Sequence, residues 1–294
     1  MKQGIKKLAL FDMDGTLTVP RGKISADTIT ALAAVSTQAK IGIVTGSPLN
    51  YVKDQLSELW GMMGINPENI YLMPCNGTKL YKWCNSNREF VEEYTKDFKK
   101  YMESKDTDPY GFRSCYTDLV TNILKMQMSF LKSHPTLDVT GNFVSYREST
   151  VNWSIIGRDS SPETRKRFEL LDSVNSIREK MCEDLRVRLN SSAFRDIEFA
   201  IGGKTSIDIY PKGWDKTHCL RHLEGFDVWF WGDSCGPNGN DRTLYEKLGP
   251  DTRAFEVSNP IDTVQSLRKN FPIDWREADM LIGNLETQFT VGSD

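Results

Sequence analysis

The length, composition and charge of the chain exclude several classes of protein. With 294 residues it can form one large domain or two of ordinary size. Its 37 basic and 40 acidic residues give a formal net charge of −3, so no overall positive field favours nucleic acid or an anionic membrane. No apolar run approaches the ~18 to 20 residues that a membrane-spanning helix needs. We therefore expect neither nucleic acid nor membrane as a partner.

The cysteines and histidines predict neither a disulfide framework nor a zinc site. The six cysteines have no metal-binding spacing, and the apolar stretch that ends at Asp12 is too short for a signal peptide. We expect reduced thiols in a cytoplasmic protein. His218 and His222 have helical i, i+4 spacing without the glutamate of a zinc motif, which favours a surface or core role.

The first predicted element, a strand at residues 5–11, ends in two aspartates and a glycine. Asp12 and Asp14 are two residues apart, so they lean to the same side as the strand ends. Two carboxylates this close repel each other unless a cation or a shared proton intervenes, and Mg²⁺ is a cation that prefers oxygen ligands. A nucleophilic carboxylate, an acid/base carboxylate and a metal ion suit phosphoryl transfer through an aspartyl-phosphate.

Strand-like and helix-like segments alternate towards both ends of the chain. The predicted strands are 5–11, 40–45, 69–74, 228–232 and 252–257, and the predicted helices are 25–38, 48–60, 215–224, 241–247 and 260–269. This alternation predicts an α/β fold with a parallel sheet and helices on both faces. Sites in such sheets lie at the carboxyl ends of the strands, where Asp12, Thr45 and Asp233 fall.

Between residues 83 and 212 the pattern changes. We predict helices at 89–102 and 119–131, and an antiparallel sheet with strands at 143–146, 152–156, 197–201 and 206–210. This segment interrupts the sheet domain, which resumes at Gly213. The sequence therefore predicts an inserted α+β cap domain at 83–212 and a discontinuous catalytic core formed by 1–82 and 213–294.

Four motifs occur in the order found in the haloacid dehalogenase (HAD) superfamily. They are the segment from Asp12 to Thr16, a strand end with Thr45 and Ser47, Lys216 after Gly-Trp-Asp, and a strand end at Asp233 followed by Asn240 and Asp241. Each motif is weak alone, but four in order are specific. The chain thus resembles the superfamily, which implies a Rossmann-like parallel sheet core and phosphoryl transfer.

Other segments resemble the eukaryotic-type phosphomannomutases within that superfamily. Residues 152–158 are similar to the family's N-x-S-P-I-G-R segment, residues 202–216 to its G-G-x-x-S-x-D-x-x-P-x-G-W-D-K run, and residues 237–241 to its P-G-G-N-D. Arg147 lies 11 positions before Arg158, and Arg165 lies 7 positions after it, as the family's substrate arginines are spaced. The resemblance covers most of residues 5 to 270.

This resemblance implies an isomerase that interconverts mannose 6-phosphate and mannose 1-phosphate and takes part in GDP-mannose biosynthesis. The reaction would pass through an aspartyl-phosphate, with Mg²⁺ as cofactor and a hexose 1,6-bisphosphate as activator. The implied partners are hexose phosphates and a second copy of the chain, joined through the cap domain.

The candidate catalytic residues have distinct expected roles. Asp12 is the nucleophile, because it is first in the motif and lies on the rigid strand end. Asp14 is the acid/base, and Lys216 neutralises Asp12 and the phosphoryl oxygens. Thr45 and Ser47 both offer a hydroxyl to the transferring phosphate, and one of them could instead cap the following helix.

The expected Mg²⁺ ligands come from two of these motifs. They are a carboxylate oxygen of Asp12, the backbone carbonyl of Asp14, the carboxylate of Asp233, and water. Asp241 is either a ligand, a neighbour of the ligands or the N-cap of the helix that follows it.

The candidate substrate residues lie mostly in the predicted cap. They are Arg147, Arg158, Arg165, Ser206 and Asp208 in the cap and Arg21 in the core. The planar fork of a guanidinium suits a phosphate dianion, so the arginines could hold the distal phosphate of a sugar bisphosphate. Ser206 and Asp208 alternate on a strand and would face one cleft, with groups that bind sugar hydroxyls. The alternatives are surface ion pairs and a solvated strand face.

The sequence departs from the family pattern at several positions. Residues 148–151 read Glu-Ser-Thr-Val where the family has N-G-M and an aliphatic residue, Ile155 replaces a proline, and Cys75 replaces a glutamate. These changes leave the phosphoryl-transfer residues intact and bear on the sugar site. Two alternatives therefore stay open: a Mg²⁺-dependent sugar-phosphate phosphatase on the same scaffold, and a non-catalytic sugar-phosphate binding protein. The sequence assigns no role to the tail at 272–294.

Overall fold

The computed structural model describes residues 6–61, 65–106, 114–237 and 239–281 and divides the chain into two compact units. The first unit comprises Met1–Thr95 and Asp215–Asp294, and the second comprises Lys96–Trp214. The division falls later than the predicted limits of 83 and 212. The chain therefore leaves the first unit only after residue 95.

The described residues form eleven strands, eight α-helices and a further helical segment at 275–281. The strands are β1 (Lys6–Phe11), β2 (Lys40–Val44), β3 (Ile70–Met73), β4 (Lys79–Cys84), β5 (Glu89–Thr95), β6 (Val144–Tyr146), β7 (Val151–Ser154), β8 (Ile197–Gly202), β9 (Ser206–Pro211), β10 (Phe226–Gly232) and β11 (Ala254–Glu256). The α-helices are α1 (Ala26–Ser36), α2 (Leu49–Gly61), α3 (Phe98–Glu103), α4 (Cys115–Ser133), α5 (Pro162–Asn175), α6 (Ile177–Arg188), α7 (Arg242–Leu248) and α8 (Pro260–Asn270). Short 3-10 helices lie at Pro67–Asn69, Cys75–Gly77, Ser192–Phe194 and Lys216–His222.

A seven-stranded sheet in the order β11-β10-β1-β2-β3-β4-β5 forms the centre of the first unit. The strands from β11 to β3 pair in parallel, whereas β4 pairs antiparallel with β3, and β5 pairs antiparallel with β4. Phe11, the last residue of β1, lies opposite Ile43 and Trp231. The chain therefore leaves three neighbouring strands at one edge of the sheet. The predicted parallel sheet is confirmed, and its strands lie within two residues of the predicted limits.

The predicted helix at 89–102 is wrong in its first half. Residues Glu89–Thr95 form β5, which pairs with β4 through a tight turn where Arg88 has a φ of 52°. The ring of Phe90 packs edge-on against Trp60 and Trp83, 5.1 and 5.3 Å away between ring centroids. Aromatic packing on a sheet overrides the helix propensity of the glutamates. Because this hairpin extends the large sheet, residues 83–95 belong to the first unit.

The second unit is a four-stranded antiparallel sheet in the order β6-β7-β9-β8, covered by helices. One face carries buried apolar side chains, among them Trp153, Ile207 and Ile209, which pack with residues of α4 and α6. Successive side chains point to opposite faces of a strand, so Asn152 and Asp208 lie on the other face. The predicted antiparallel sheet is confirmed. The sequence did not predict α5 and α6, because their many charged residues obscure the helical spacing of the apolar ones.

Two further expectations concern the whole chain. No helix within the described ranges is long and apolar enough to cross a membrane, and no disulfide joins any of the six cysteines. In the tail, residues 275–281 are helical, with Ala278 buried and Trp275 packed on the core of the first unit. Residues 282–294 lie outside the described part.

Candidate active site

The predicted nucleophile lies directly after the last residue of β1. The backbone of Asp12 continues the sheet by donating a hydrogen bond to Trp231 O at 2.9 Å, and the residue is only 4% exposed. Its Oδ1 lies 2.5 Å from Nζ of Lys216. The structure therefore brings together the first and third predicted motifs, which are 204 positions apart.

Lys216 forms a second buried ion pair, with Asp241. Its Nζ lies 2.5 Å from Asp241 Oδ1, and both side chains are fully buried. The other oxygen of Asp241 accepts a hydrogen bond from Ser234 N at 3.0 Å. Asp241 is the residue before α7, but its side chain makes no capping hydrogen bond to that helix. Its carboxylate therefore binds Lys216 and the loop after β10 and does not cap the helix.

Three carboxylates lie close enough to share a cation. Oxygen atoms of Asp12, Asp233 and Asp241 all lie within 4.8 Å of one another. Gly15 has a φ of 91°, and a Cβ at this position would lie 2.4 Å from Asp233 Oδ2. Only glycine combines this conformation with so close an approach. The donor set consists of oxygens alone, which is the set that Mg²⁺ prefers.

The charges of this cluster are out of balance. Burial, with smaller contributions from Asp241 and Asp233, raises the pKa of Asp12 to about 8 against the opposing effect of Lys216. Burial and the nearby Asp241 likewise raise the pKa of Asp233 to about 6. Burial alone would lower the pKa of Lys216, but Asp12 and Asp241 outweigh it and raise that pKa. One ammonium group faces three carboxylates, so the cluster fits a cation.

The predicted acid/base follows Asp12 by two residues, in a tight turn. Asp14 is half-buried, and its Oδ1 accepts a hydrogen bond from the backbone N–H of Arg21 at 2.8 Å. Arg21 has a φ of 63°, and its side chain is exposed. The backbone of Arg21 therefore contacts Asp14 directly, while the predicted phosphate contact of its side chain stays a prediction.

Thr45 and Ser47 follow β2 at the same edge of the sheet. Thr45 is 2% exposed, and its Oγ1 accepts a hydrogen bond from Ser47 N at 3.1 Å. Thr45 O and Ser47 O accept backbone hydrogen bonds from Asn76 and Cys75, at 2.7 and 3.0 Å. The hydroxyl of Thr45 thus shapes this turn, and that of Ser47 is the more exposed of the two.

Two buried polar atoms beside these motifs have no hydrogen-bond partner among the described residues. They are the hydroxyl oxygen of Thr16 and the amide oxygen of Asn76. The Oδ1 of Asn76 lies near Gly46, between Thr45 and Ser47, because a Cβ on that glycine would lie 3.3 Å away. Unpartnered buried polar groups cost free energy, so these two suit contact with a ligand.

The three predicted cap arginines lie around the start of α5 and the strands β6 and β7. Arg165 is in the first turn of α5, and its guanidinium donates to the backbone oxygens of Ser160 and Arg158. Arg158 itself forms no ion pair or side-chain hydrogen bond within the described residues. Arg147 follows β6, and its backbone N–H donates to Thr150 O at 2.8 Å. The structure therefore brings Arg158 and Arg165 together.

Ser206 and Asp208 share one face of β9, as predicted. The Oδ1 of Asp208 accepts a hydrogen bond from Nδ2 of Asn152 at 2.7 Å, and a Cβ on Gly202 would lie 2.5 Å from Asp208 Oδ2. The hydroxyl of Ser206 donates to Gly202 O at 2.7 Å. Asn152 was not among the predicted site residues, although it lies in a predicted strand whose side chains also alternate between the two faces of the sheet.

The two spaced histidines lie on the 3-10 helix that begins at Lys216. His218 contacts Tyr94 OH through Nε2 at 3.2 Å, and His222 contacts Gly77 O through Nε2 at 2.9 Å. Burial lowers the pKa of His222. These contacts join the helix that carries Lys216 to β5 and to the turn after β3.

Comparison with known proteins gives a family for the chain. A sequence model of the eukaryotic phosphomannomutase family matches residues 28–273. A phosphomannomutase of Arabidopsis thaliana is 34% identical over 90% of this chain and 96% of its own length. One of Encephalitozoon cuniculi is 35% identical over 91% of this chain and 94% of its own length. The predicted resemblance is confirmed.

Solved structures show the same fold at low sequence identity. An N-terminally truncated IMP-nucleotidase of Plasmodium falciparum with bound IMP is 17% identical to this chain. It aligns with a TM-score of 0.56 over 90% of this chain and 68% of its own. At this identity the likeness shows the fold alone, which is the predicted HAD-like one.

Proposed function

Because the chain belongs to the eukaryotic phosphomannomutase family, we propose that it interconverts mannose 6-phosphate and mannose 1-phosphate, and so supplies GDP-mannose biosynthesis. The observation that carries this proposal is the buried cluster of Asp12, Lys216 and Asp241 after parallel strands. In this cluster the carboxylate proposed as the nucleophile lies beside a buried ammonium group, at the edge of the sheet where sites of this fold lie. Family membership supplies the substrate class.

Asp12 and Asp14 share the chemistry in this proposal. A carboxylate oxygen of Asp12 attacks the phosphorus of the sugar phosphate, and the bond from phosphorus to the sugar oxygen breaks. Asp14 gives its proton to that oxygen and takes a proton from the sugar hydroxyl that next attacks the aspartyl-phosphate. Lys216 offsets negative charge on the transferring group, which is worth most in a buried site. Thr45 or Ser47 donates to a phosphoryl oxygen.

We further propose that Mg²⁺ binds at the carboxylates of Asp12 and Asp233 and the backbone carbonyl of Asp14, with Asp241 beside them. The uncompensated negative charge of this cluster supports the proposal. When bound, the ion would neutralise charge on the phosphoryl oxygens.

The metal proposal predicts that a chelator removes activity and that Mg²⁺, but not Ca²⁺, restores it. Calcium takes more oxygen ligands at longer distances, so it would misplace the phosphoryl group. Turnover is measured in chelator and after each ion is added back. Full activity in excess chelator would contradict the metal site.

The sugar is proposed to bind through residues of the second unit. Arg147, Arg158 and Arg165 would hold the phosphate that is not being transferred, with Arg21 assisting from the first unit. Ser206 and Asp208 would bind sugar hydroxyls. The buried hydrogen bond from Asn152 supports this role for Asp208, because a fixed carboxylate gives directional recognition. A hexose 1,6-bisphosphate would act as activator by phosphorylating Asp12 at the start of the cycle.

One incubation separates the mutase from the phosphatase alternative. The protein is supplied with mannose 1-phosphate, Mg²⁺ and glucose 1,6-bisphosphate, and mannose 6-phosphate and free phosphate are quantified together. We expect mannose 6-phosphate to form faster than phosphate is released. Faster release of phosphate would favour a sugar-phosphate phosphatase, and formation of neither product would favour a binding protein.

We also propose a homodimer that forms through the second unit, in the cytoplasm. Two apolar residues one turn apart on α4, Leu124 and Met128, are 50% and 59% exposed, which supports an interface there. Light scattering after size-exclusion chromatography measures the molar mass. A monomer at micromolar concentration would contradict the dimer.

A further inference from the structure

A buried glutamine on α2 lies against the predicted acid/base. Gln55 is 2% exposed and shares the apolar face of α2 with Val52, Leu56 and Leu59, all of which are buried. An amide in such surroundings costs free energy unless its hydrogen bonds are made within the protein. Its partners therefore indicate what it does.

The amide nitrogen of Gln55 faces three acceptors. With the amide orientation assigned from the neighbouring donors and acceptors, the nitrogen lies 3.2 Å from Asp14 Oδ1, 3.1 Å from Gly22 O and 2.9 Å from Thr18 Oγ1. The opposite orientation would set the amide oxygen against a carboxylate and a carbonyl, so the surrounding network fixes the orientation. The hydroxyl of Thr18 then donates to Met13 O at 3.3 Å.

Asp14 is thereby held through one oxygen. Its Oδ1 accepts hydrogen bonds from the amide of Gln55 and from the backbone N–H of Arg21, whereas its Oδ2 has no hydrogen-bond partner among the described residues. Two donors on Oδ1 fix the plane of the carboxylate and leave Oδ2 for proton exchange. The bond from Gln55 to Gly22 O also fixes the loop that presents the N–H of Arg21.

We propose that Gln55 is a positioning residue that aims Asp14 at the sugar oxygen. This inference rests on the proposed function, in which Asp14 is the acid/base. When Asp12 attacks phosphorus, the proton of Asp14 passes to the departing sugar oxygen. In the reverse transfer the sugar hydroxyl returns a proton to Asp14. Gln55 gains and loses no proton in either direction.

The need for an aimed Asp14 depends on the leaving group. A sugar oxygen leaves as a poor alkoxide unless it receives a proton, whereas p-nitrophenolate leaves without one. A misaimed Asp14 therefore slows transfer from a sugar phosphate and spares phosphorylation of Asp12 by p-nitrophenyl phosphate. A general disturbance of the fold slows both reactions.

Gln55→Met tests this dependence, because it keeps the length of the side chain and removes the amide. We expect kcat/KM for mannose 1-phosphate to fall by about 10- to 100-fold, the cost of losing one hydrogen bond to a charged group. The rate of the p-nitrophenolate burst should stay within about threefold of the wild type. Thermal unfolding of the variant is recorded alongside.

Gln127→Met is the matched control. Gln127 is 3% exposed and lies in the second unit. Its amide oxygen accepts a hydrogen bond from Trp153 Nε1 at 2.6 Å, and its amide nitrogen donates to Ile155 O at 3.0 Å. Gln127→Met removes a comparable buried amide away from Asp14, so it is the control for what such a loss does to thermal unfolding, and it should leave the rate of the p-nitrophenolate burst within about threefold of the wild type.

Equal losses on both substrates for Gln55→Met, or no loss on either, would overturn the inference. If that variant does not fold, Gln55→Glu carries the same comparison, since it keeps the volume and sets a carboxylate against Asp14. Failure of both variants to fold would assign Gln55 to the fold and overturn the inference as well. A wild-type protein that forms no mannose 6-phosphate would instead defeat the proposed function.

Discussion

At the scale of single residues, the site is a buried group of like charges held by one ammonium group. Lys216 and Asp241 are fully buried, and Asp12 nearly so. Taking charges out of water is costly, and an ion pair compensates for that cost only when its geometry and hydrogen bonds are good. Such an arrangement contributes little net stability, which is consistent with a role in the proposed chemistry.

Asp12→Asn should lower turnover by more than about 1000-fold, because it removes the nucleophile. The fold should persist, since the amide keeps the shape of the side chain and Lys216 keeps its pair with Asp241. Steady-state rates and circular dichroism check the two halves of this prediction. Turnover within tenfold of the wild type would show that Asp12 is not the nucleophile.

Lys216→Met should destabilise the protein by about 3 to 5 kcal/mol when no metal is added, because it leaves Asp12 and Asp241 buried without their partner. Lys247→Met makes the same replacement at an exposed position on α7, where we expect a change within about 0.5 kcal/mol. Chemical denaturation gives both values. Equal stability of the two variants would contradict the role of the buried pair.

At the scale of elements, helix caps position parts of the second unit. The hydroxyl of Ser161 accepts a hydrogen bond from Thr164 N at 3.1 Å at the start of α5. Ser114 occupies the same position before α4 and makes no side-chain cap bond. The two serines therefore differ in what their hydroxyls do for the helix that follows.

Ser161→Ala should lower the free energy of unfolding by about 1 kcal/mol, the usual value of an N-cap. Ser114→Ala should lower it by much less, because no cap bond is lost. Since α5 carries Arg165 in its first turn, Ser161→Ala should also weaken the binding of sugar phosphate. Denaturation curves and KM values measure these effects, and indistinguishable variants would speak against the cap.

How far the sequence predicts the structure also varies with the element. Apolar runs such as 40–45 predict buried strands because a continuous run of apolar residues itself indicates burial. At 89–95 the pattern fails, since Phe90 is held by Trp83 on the paired strand and by Trp60 on α2, contacts that the local pattern does not contain. The same limit applies to the site: the motif predicts Asp12 and Asp14, but Gln55 touches Asp14 only through tertiary packing.

At the scale of the whole molecule, the two units carry different parts of the proposed reaction. The first unit holds the carboxylates and Lys216, which in the proposed reaction suffice to take a phosphoryl group from a small donor. In that proposal the arginines of the second unit are needed only when a second phosphate must be bound. Mutase activity and transfer from a small donor should therefore respond differently to changes in the second unit.

Arg158→Ala should depress mutase activity by about 30- to 1000-fold, the cost of a charge-assisted bidentate contact with phosphate. Hydrolysis of acetyl phosphate should survive, because that donor needs only the first unit. Arg165→Ala should show the same selectivity and also unfold at a lower temperature, since its guanidinium bonds the backbone oxygens of Ser160 and Arg158.

Arg188→Ala, at an exposed position on α6, is the control for removing a positive charge from the second unit, and it should leave both activities unchanged. The rates with mannose 1-phosphate and acetyl phosphate are compared for all three variants. Equal loss of both activities in Arg158→Ala and Arg165→Ala would show that these arginines support the fold or the first unit. Their role as the distal phosphate site would then be wrong, because only a second phosphate distinguishes the two substrates.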